Sequence, residues 1–224
     1  MALNNTENLT QTEVEIPSGT YRLKGTLSRP AGSNAVVVFA HGSGSGRFST
    51  RNHFVAGSLQ AAGIGTLLID LLEEDEEDDR EKVFDIELLA GRLQSAVDWL
   101  RGQKDTQGCR LGYFGASTGA AAAMLAAARR PRDVAAIVSR GGRPDMAADN
   151  LPRVKAPTLL IVGGNDDVVI TLNEEALALL RCPKQMIVIP GATHLFPEPG
   201  ALEEVASLAS DWFARHFALP QAAR

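Results

Sequence analysis

Ser117 sits in the stretch Gly115-Ala116-Ser117-Thr118-Gly119, a serine between two glycines at the spacing GxSxG. Where such a stretch joins a strand to a helix, the tight turn pushes the serine outward and the glycines avoid clashes with nearby backbone. A serine hydroxyl is a weak nucleophile and needs a base to take its proton. The chain has four histidines, His41, His53, His194 and His216. In a strand–helix alternation the nucleophile, the acid and the histidine follow one another in that order. His41 and His53 precede the serine, and His41 is read as bonding within its own loop. His216 lies in a helical stretch beside Trp212 and Phe213, where packing is the simpler role. His194, in Gly191-Ala192-Thr193-His194, follows the last expected strand and is the candidate base. The segment Gly163-Gly164-Asn165-Asp166-Asp167-Val168-Val169 offers two acids. Asp166 is preferred and Asp167 is the alternative. The acid would fix the imidazole tautomer and stabilise the imidazolium.

Acyl chemistry also needs donors for the oxyanion. His41-Gly42-Ser43-Gly44-Ser45-Gly46 follows an apolar run and can aim a main-chain N–H at a reacting carbonyl. The N–H groups of Ser43 and Thr118 are the natural pair, the second coming from the residue after the nucleophile. The competing reading, a phosphate loop, lacks the GxGxxG spacing and has no following Lys-Ser/Thr. The acidic run Glu73-Glu74-Asp75-Glu76-Glu77-Asp78-Asp79 is read as a solvated loop. It lacks the spacing and turn glycine of a calcium loop.

The elements that must position these residues can be read from the pattern of apolar residues. Residues 14–17 and 21–28 alternate and are joined at Ser18-Gly19, which predicts a hairpin. Continuous apolar or β-branched runs at 35–40, 64–70, 110–114, 134–139, 158–162 and 185–189 read as buried strands. Helices are expected at 51–62, 84–100, 120–130, 174–181 and 202–217, with Gly63, Gly102 and Pro131 as stops for the first three. Alternating buried strands and helices imply a mostly parallel sheet of about eight strands covered on both faces. Residues 1–12 are expected to be a loose arm and 13–218 a single α/β domain.

The 224 residues, 45% apolar and 22% charged, suit a soluble globular chain able to bury its own core. The net charge of −5 argues against a nucleic-acid partner. No apolar stretch is long enough for a membrane span, and no signal peptide is read, so a cytoplasmic location is expected. Cys109 and Cys182 match no metal spacing and are read as free structural thiols.

The HGSGSG loop, the GASTG turn, the GGNDDVV acid loop and the GATH loop together resemble the α/β-hydrolase superfamily. They are most similar to its small dienelactone hydrolase-like branch, over about residues 14–217. True dienelactone hydrolases carry a cysteine nucleophile, and Ser117 in its place points to a general serine carboxylesterase. The resemblance implies an α/β-hydrolase fold that cleaves small carboxylic esters or lactones through an acyl-enzyme, with no metal or organic cofactor. The partner would be a small-molecule ester. A thioesterase, an amidase, an acyltransferase or a non-catalytic binding protein would be compatible with the same residues. The superfamily's cap often follows the sixth strand. Here that segment, residues 140–157, is too short for one, so an open site is expected. Arg140 and Arg143 in that segment, and Arg47 in the oxyanion loop, have the planar fork that suits a substrate carboxylate or phosphate. Pairing with nearby acids is the alternative for each.

Overall fold

The structure, a computed structural model, describes residues 9–73 and 75–218. Strands β1 (Leu9–Ser18) and β2 (Tyr21–Pro30) form an antiparallel hairpin, with Gly19 at φ +59° in its turn. The runs β3 (Ala35–Ala40), β4 (Gly65–Ile69), β5 (Arg110–Ala116), β6 (Ala136–Arg140) and β7 (Thr158–Gly163) are buried along almost their whole length. Such strands must be covered on both faces. Strand β8 (Lys184–Ile189) closes one edge and is partly exposed. The sheet order is β1-β2-β4-β3-β5-β6-β7-β8, parallel from β4 to β8.

Side chains alternate across the strands, so each strand feeds two cores. On one face Val38, Tyr113, Ile137 and Leu160 meet α3 (Ile86–Gly102), α4 (Thr118–Arg129) and α5 (Asp167–Leu179). On the other, Phe39, Phe114, Val138 and Ile161 meet α1 (Thr50–Ala61) and α6 (Ala201–Ala218). Helix α4 is buried from 118 to 128, and its alanines allow close approach to the sheet. No helix among the described residues is long and apolar enough to cross a membrane.

Four local expectations are corrected. Strand β1 begins at Leu9 and pairs as far as Pro30, so residues 9–12 belong to the sheet rather than to a loose arm. Residues 1–8 lie outside the described residues. Both faces of that end are exposed, so no apolar alternation marks it. Helix α5 starts at Asp167 rather than 174. Its β-branched start, Val168-Val169-Ile170-Thr171, has low helix propensity, but Asp167 in the first turn suits the helix dipole. A short helix α2 (Arg80–Val83) and a 3-10 segment, Pro144–Arg153, were not expected. That segment buries Ala147 and Leu151 in the core, so residues between β6 and β7 pack inward rather than forming a lid. The acidic run is not wholly solvated. Glu76 is 1% exposed and bonds Arg92 at 2.6 and 2.8 Å and Lys82 at 3.2 Å. Cys109 and Cys182 are free and buried.

Candidate active site

The turn from β5 to α4 carries Ser117 at φ 51°, ψ −122°. Positive φ on a residue with a Cβ costs on the order of 1–3 kcal/mol and persists only where the surroundings enforce it. Ser117 N–H donates to Arg140 O at 3.3 Å, and Ser117 O accepts from Arg143 N–H at 3.0 Å. The flanking glycines are sterically required. A Cβ on Gly115 would stand 2.4 Å from Ala120 Cα, and one on Gly119 2.2 Å from Ala40 O.

The loops after β7 and β8 are stitched together by backbone. Asn165 N–H donates to Ala192 O at 2.9 Å and Asn165 Nδ2 to Gly191 O at 2.9 Å. A Cβ on Gly163 would lie 2.4 Å from Ala192 O, so only glycine permits this approach. Thr193 anchors the histidine loop by donating its N–H and hydroxyl to Glu198 Oε1 at 3.1 and 2.6 Å. The result is a hydrogen bond of 2.7 Å between His194 Nδ1 and Asp166 Oδ2. Asp167 lies exposed at the start of α5. Ser117 and His194 both border the Arg140–Gly141 peptide. Besides the Ser117 bond to Arg140 O, a Cβ on Gly141 would sit 3.0 Å from His194 O and 3.5 Å from its ring.

The glycine-rich loop after β3 lies against the same serine. A Cβ on Gly42 would fall 2.9 Å from Ser117 Cβ. Ser43 N–H donates to Thr118 Oγ1 at 3.2 Å, a long bond that an oxyanion could replace. Thr118 N–H, in the first turn of α4, has no partner within the helix. His41 has a structural place: Nε2 accepts from Leu71 N–H at 2.8 Å and Nδ1 faces Gly42 O at 3.0 Å. Burial lowers its pKa and keeps the ring neutral. His216 packs on Trp212 in α6, with ring centroids 4.4 Å apart.

A cleft opens beside Ser43 and Thr118, walled by Leu72, Glu77, Val83 and Leu89. These wall residues carry no local motif. They come from three different places in the chain, the loop after β4, α2 and α3.

The three arginines separate. Arg47 is clasped by Asp70 through its N–H at 2.6 Å and its guanidinium, with Glu13 at 3.7 Å. Arg143 makes a two-pronged pair with Asp145 at 2.8 and 2.9 Å. Both are paired with acids in place of the expected substrate anion. Arg140 has no such carboxylate. Among the described residues no group of three or more His, Cys, Asp or Glu side chains is placed to hold a metal.

The model of the dienelactone hydrolase family matches residues 23–221. The chain belongs to the dienelactone hydrolase family. A crystal structure of a family member, dienelactone hydrolase from Anabaena variabilis, is 55% identical with a TM-score of 0.91, covering 94% of this chain and 99% of that one. A protein of Mycobacterium tuberculosis H37Rv, provisionally named a phosphoribosyl transferase, is 55% identical over 208 residues. The match takes in 93% of this chain and 47% of that protein, so the chain spans about half the length of this curated relative. Est1E from Butyrivibrio proteoclasticus shares the fold at 16% identity, with a TM-score of 0.80, covering 92% of this chain and 99% of that one.

Proposed function

We propose that this chain is a serine hydrolase of small carboxylic esters or lactones, with Ser117 as nucleophile, His194 as base and Asp166 as orienting acid. The observation that carries the reading is the 2.7 Å Asp166–His194 bond beside a serine held at positive φ on a strand–helix turn. Asp166 Oδ2 accepts from Nδ1–H and leaves Nε2 free to act as a base. Nε2 takes the Ser117 proton as Oγ adds to the ester carbonyl. The oxyanion accepts from the N–H groups of Thr118 and Ser43, the latter exchanging its bond to Thr118 Oγ1. The tetrahedral carbon then expels the alcohol, which takes the proton from His194. Water, deprotonated by the same ring, adds to the acyl-enzyme and releases the acid and Ser117.

The apolar wall of Leu72, Val83 and Leu89 suits a short acyl or alcohol group. The inward packing of the 3-10 segment supports an open site for small substrates. Phosphoribosyl transfer, in the name of the mycobacterial relative, is less favoured. The 42–46 loop lacks the spacing of a phosphate cradle, and the Asp166–His194 pair suits acyl chemistry. The test is a panel of p-nitrophenyl esters of increasing acyl length, with lactones, run on wild type and Ser117→Ala. The substitution should lower kcat by roughly 10⁴–10⁶-fold. Wild-type turnover in Ser117→Ala would end the proposal.

A further inference from the structure

Among the described residues that line the cleft beside the oxyanion donors, Glu77 is the one ionised side chain. The 41–45 loop and Thr118 form one side of this cleft, and Leu72, Glu77, Val83 and Leu89 form the other. Leu72, Val83 and Leu89 are apolar and buried. His41 is buried and neutral. Glu77 is exposed, so its carboxylate stands where the cleft opens to solvent.

The charge of Glu77 is not spent within the fold. Lys82 and Arg92 bind Glu76, Arg47 binds Asp70 and Glu13, and Arg80 lies over the ring of Phe84. Among the described residues no cation pairs with the Glu77 carboxylate. Its field nevertheless reaches the oxyanion loop. Burial lowers the His41 pKa, and the Gly42 carbonyl, Asp70 and Glu77 pull the other way. Asp75, Asp78 and Asp79 carry the same sign on the exposed loop but do not line the cleft.

A substrate seated with its carbonyl oxygen on the Ser43 and Thr118 N–H groups lays one of its two arms along Leu72, Val83 and Leu89. A carboxylate at the open end of that apolar wall stabilises an arm that is hydrocarbon along its length and cationic at its end. It opposes an arm that ends in a carboxylate. An ammonium that stays partly hydrated at the opening avoids the full cost of burying an ion.

We propose that Glu77 is a specificity-determining residue, and that the ester cleaved at Ser117 carries an ammonium group on the arm that enters this cleft. The inference rests on Ser117 as nucleophile and adds the class of substrate.

The test uses two isosteric pairs, each a cation and its neutral carbon analogue. Acetylthiocholine with 3,3-dimethylbutyl thioacetate puts the charge on the leaving arm. 4-Nitrophenyl 4-(trimethylammonio)butanoate with 4-nitrophenyl 5,5-dimethylhexanoate puts it on the acyl arm. The ratio of kcat/KM, cation over neutral, is compared between wild type and variants, so intrinsic reactivity cancels. For the pair whose charge enters the cleft, the ratio should fall roughly 5–20-fold in Glu77→Gln and further in Glu77→Lys. Because the carboxylate is exposed, the fall should shrink in about 0.5 M NaCl, a response that lost packing would not give. Asp75→Asn should leave the ratio within about twofold of wild type. A ratio unchanged in Glu77→Lys for both pairs overturns the proposal, and so does an equal fall in Asp75→Asn. The two readings fail separately. Ser117-dependent cleavage of the neutral esters with an unchanged ratio removes the selectivity alone. Absence of Ser117-dependent cleavage removes the nucleophile reading, and the cation subsite is then read from saturation-transfer NMR with choline. Choline contact in wild type that Glu77→Lys abolishes keeps the subsite, and no contact in wild type overturns it.

Discussion

Replacing Glu76 by glutamine removes one charge from a buried ion pair that holds the wall of the cleft. Glu76 is 1% exposed. It accepts from Arg92, itself 2% exposed, from Lys82 and from the backbone N–H of Glu73. Burial alone would raise its pKa. The bonds from Arg92, Glu73 N–H and Lys82 outweigh that and bring it from 4.5 to about 2. At about 1.36 kcal/mol per pKa unit, the carboxylate form contributes about 3 kcal/mol to folding at pH 7. Because the folded value is depressed, this contribution is whole above pH ~5 and drains away as pH falls towards 2. About 1 kcal/mol remains at pH 3. A chain of this size loses roughly 2–4 °C of Tm per kcal/mol, so Glu76→Gln should melt about 10 °C below wild type at pH 7. The gap should narrow to less than half of that at pH 3. Thermal melts of both proteins at pH 7, 5, 4 and 3 give the comparison. A gap absent at pH 7, or equally large at pH 3, would refute the reasoning. The double variant Glu76→Leu/Arg92→Met should recover most of the loss, because no buried charge is then left alone.

Two further outcomes follow from the site. Asp166→Asn should lower kcat on a p-nitrophenyl ester by roughly 10⁴-fold, whereas Asp167→Asn should change it by less than about threefold. Comparable losses in both variants would dissociate the 2.7 Å bond from catalysis. Gly119→Ala should destabilise the fold by roughly 3 kcal/mol or more, seen as a lower urea midpoint, because its Cβ would meet two carbonyls at 2.2 and 2.5 Å. A stable, active Gly119→Ala would show that the turn can open away from β3.

The sheet was legible because its central strands are buried on both faces and so read as unbroken apolar runs. The elbow, acid loop and histidine loop were legible because each lies within a few residues of a strand end. Glycines such as Gly119 and Gly163 mark where backbones cross at contact distance. The preference for Asp166 over Asp167 rests on loop form; in the fold Asp166 Oδ2 lies 2.7 Å from His194 Nδ1, while Asp167 is exposed at the start of α5. Features that depend on residues far apart in the chain were not legible. Composition makes 73–79 look solvated, and only the fold brings Arg92 over Glu76. Arg47, Arg140 and Arg143 look alike in the sequence. What separates them is that Asp70 and Asp145 reach two of them, while Arg140 leaves the sheet on the face of Val138 and Ile161 with no carboxylate partner among the described residues. The exposed start of β1 and the β-branched start of α5 were hidden because partners, rather than local preference, decide those segments.

The central claim is that Ser117 is the nucleophile of an acyl-transfer site. Its most direct test is labelling of the folded protein with a fluorophosphonate, read by intact mass and by peptide mapping. The expected result is one adduct per chain, on Ser117, slowed by Asp166→Asn and absent in Ser117→Ala. Ester hydrolysis by a protein that takes no label, or takes it at another residue, would contradict the account.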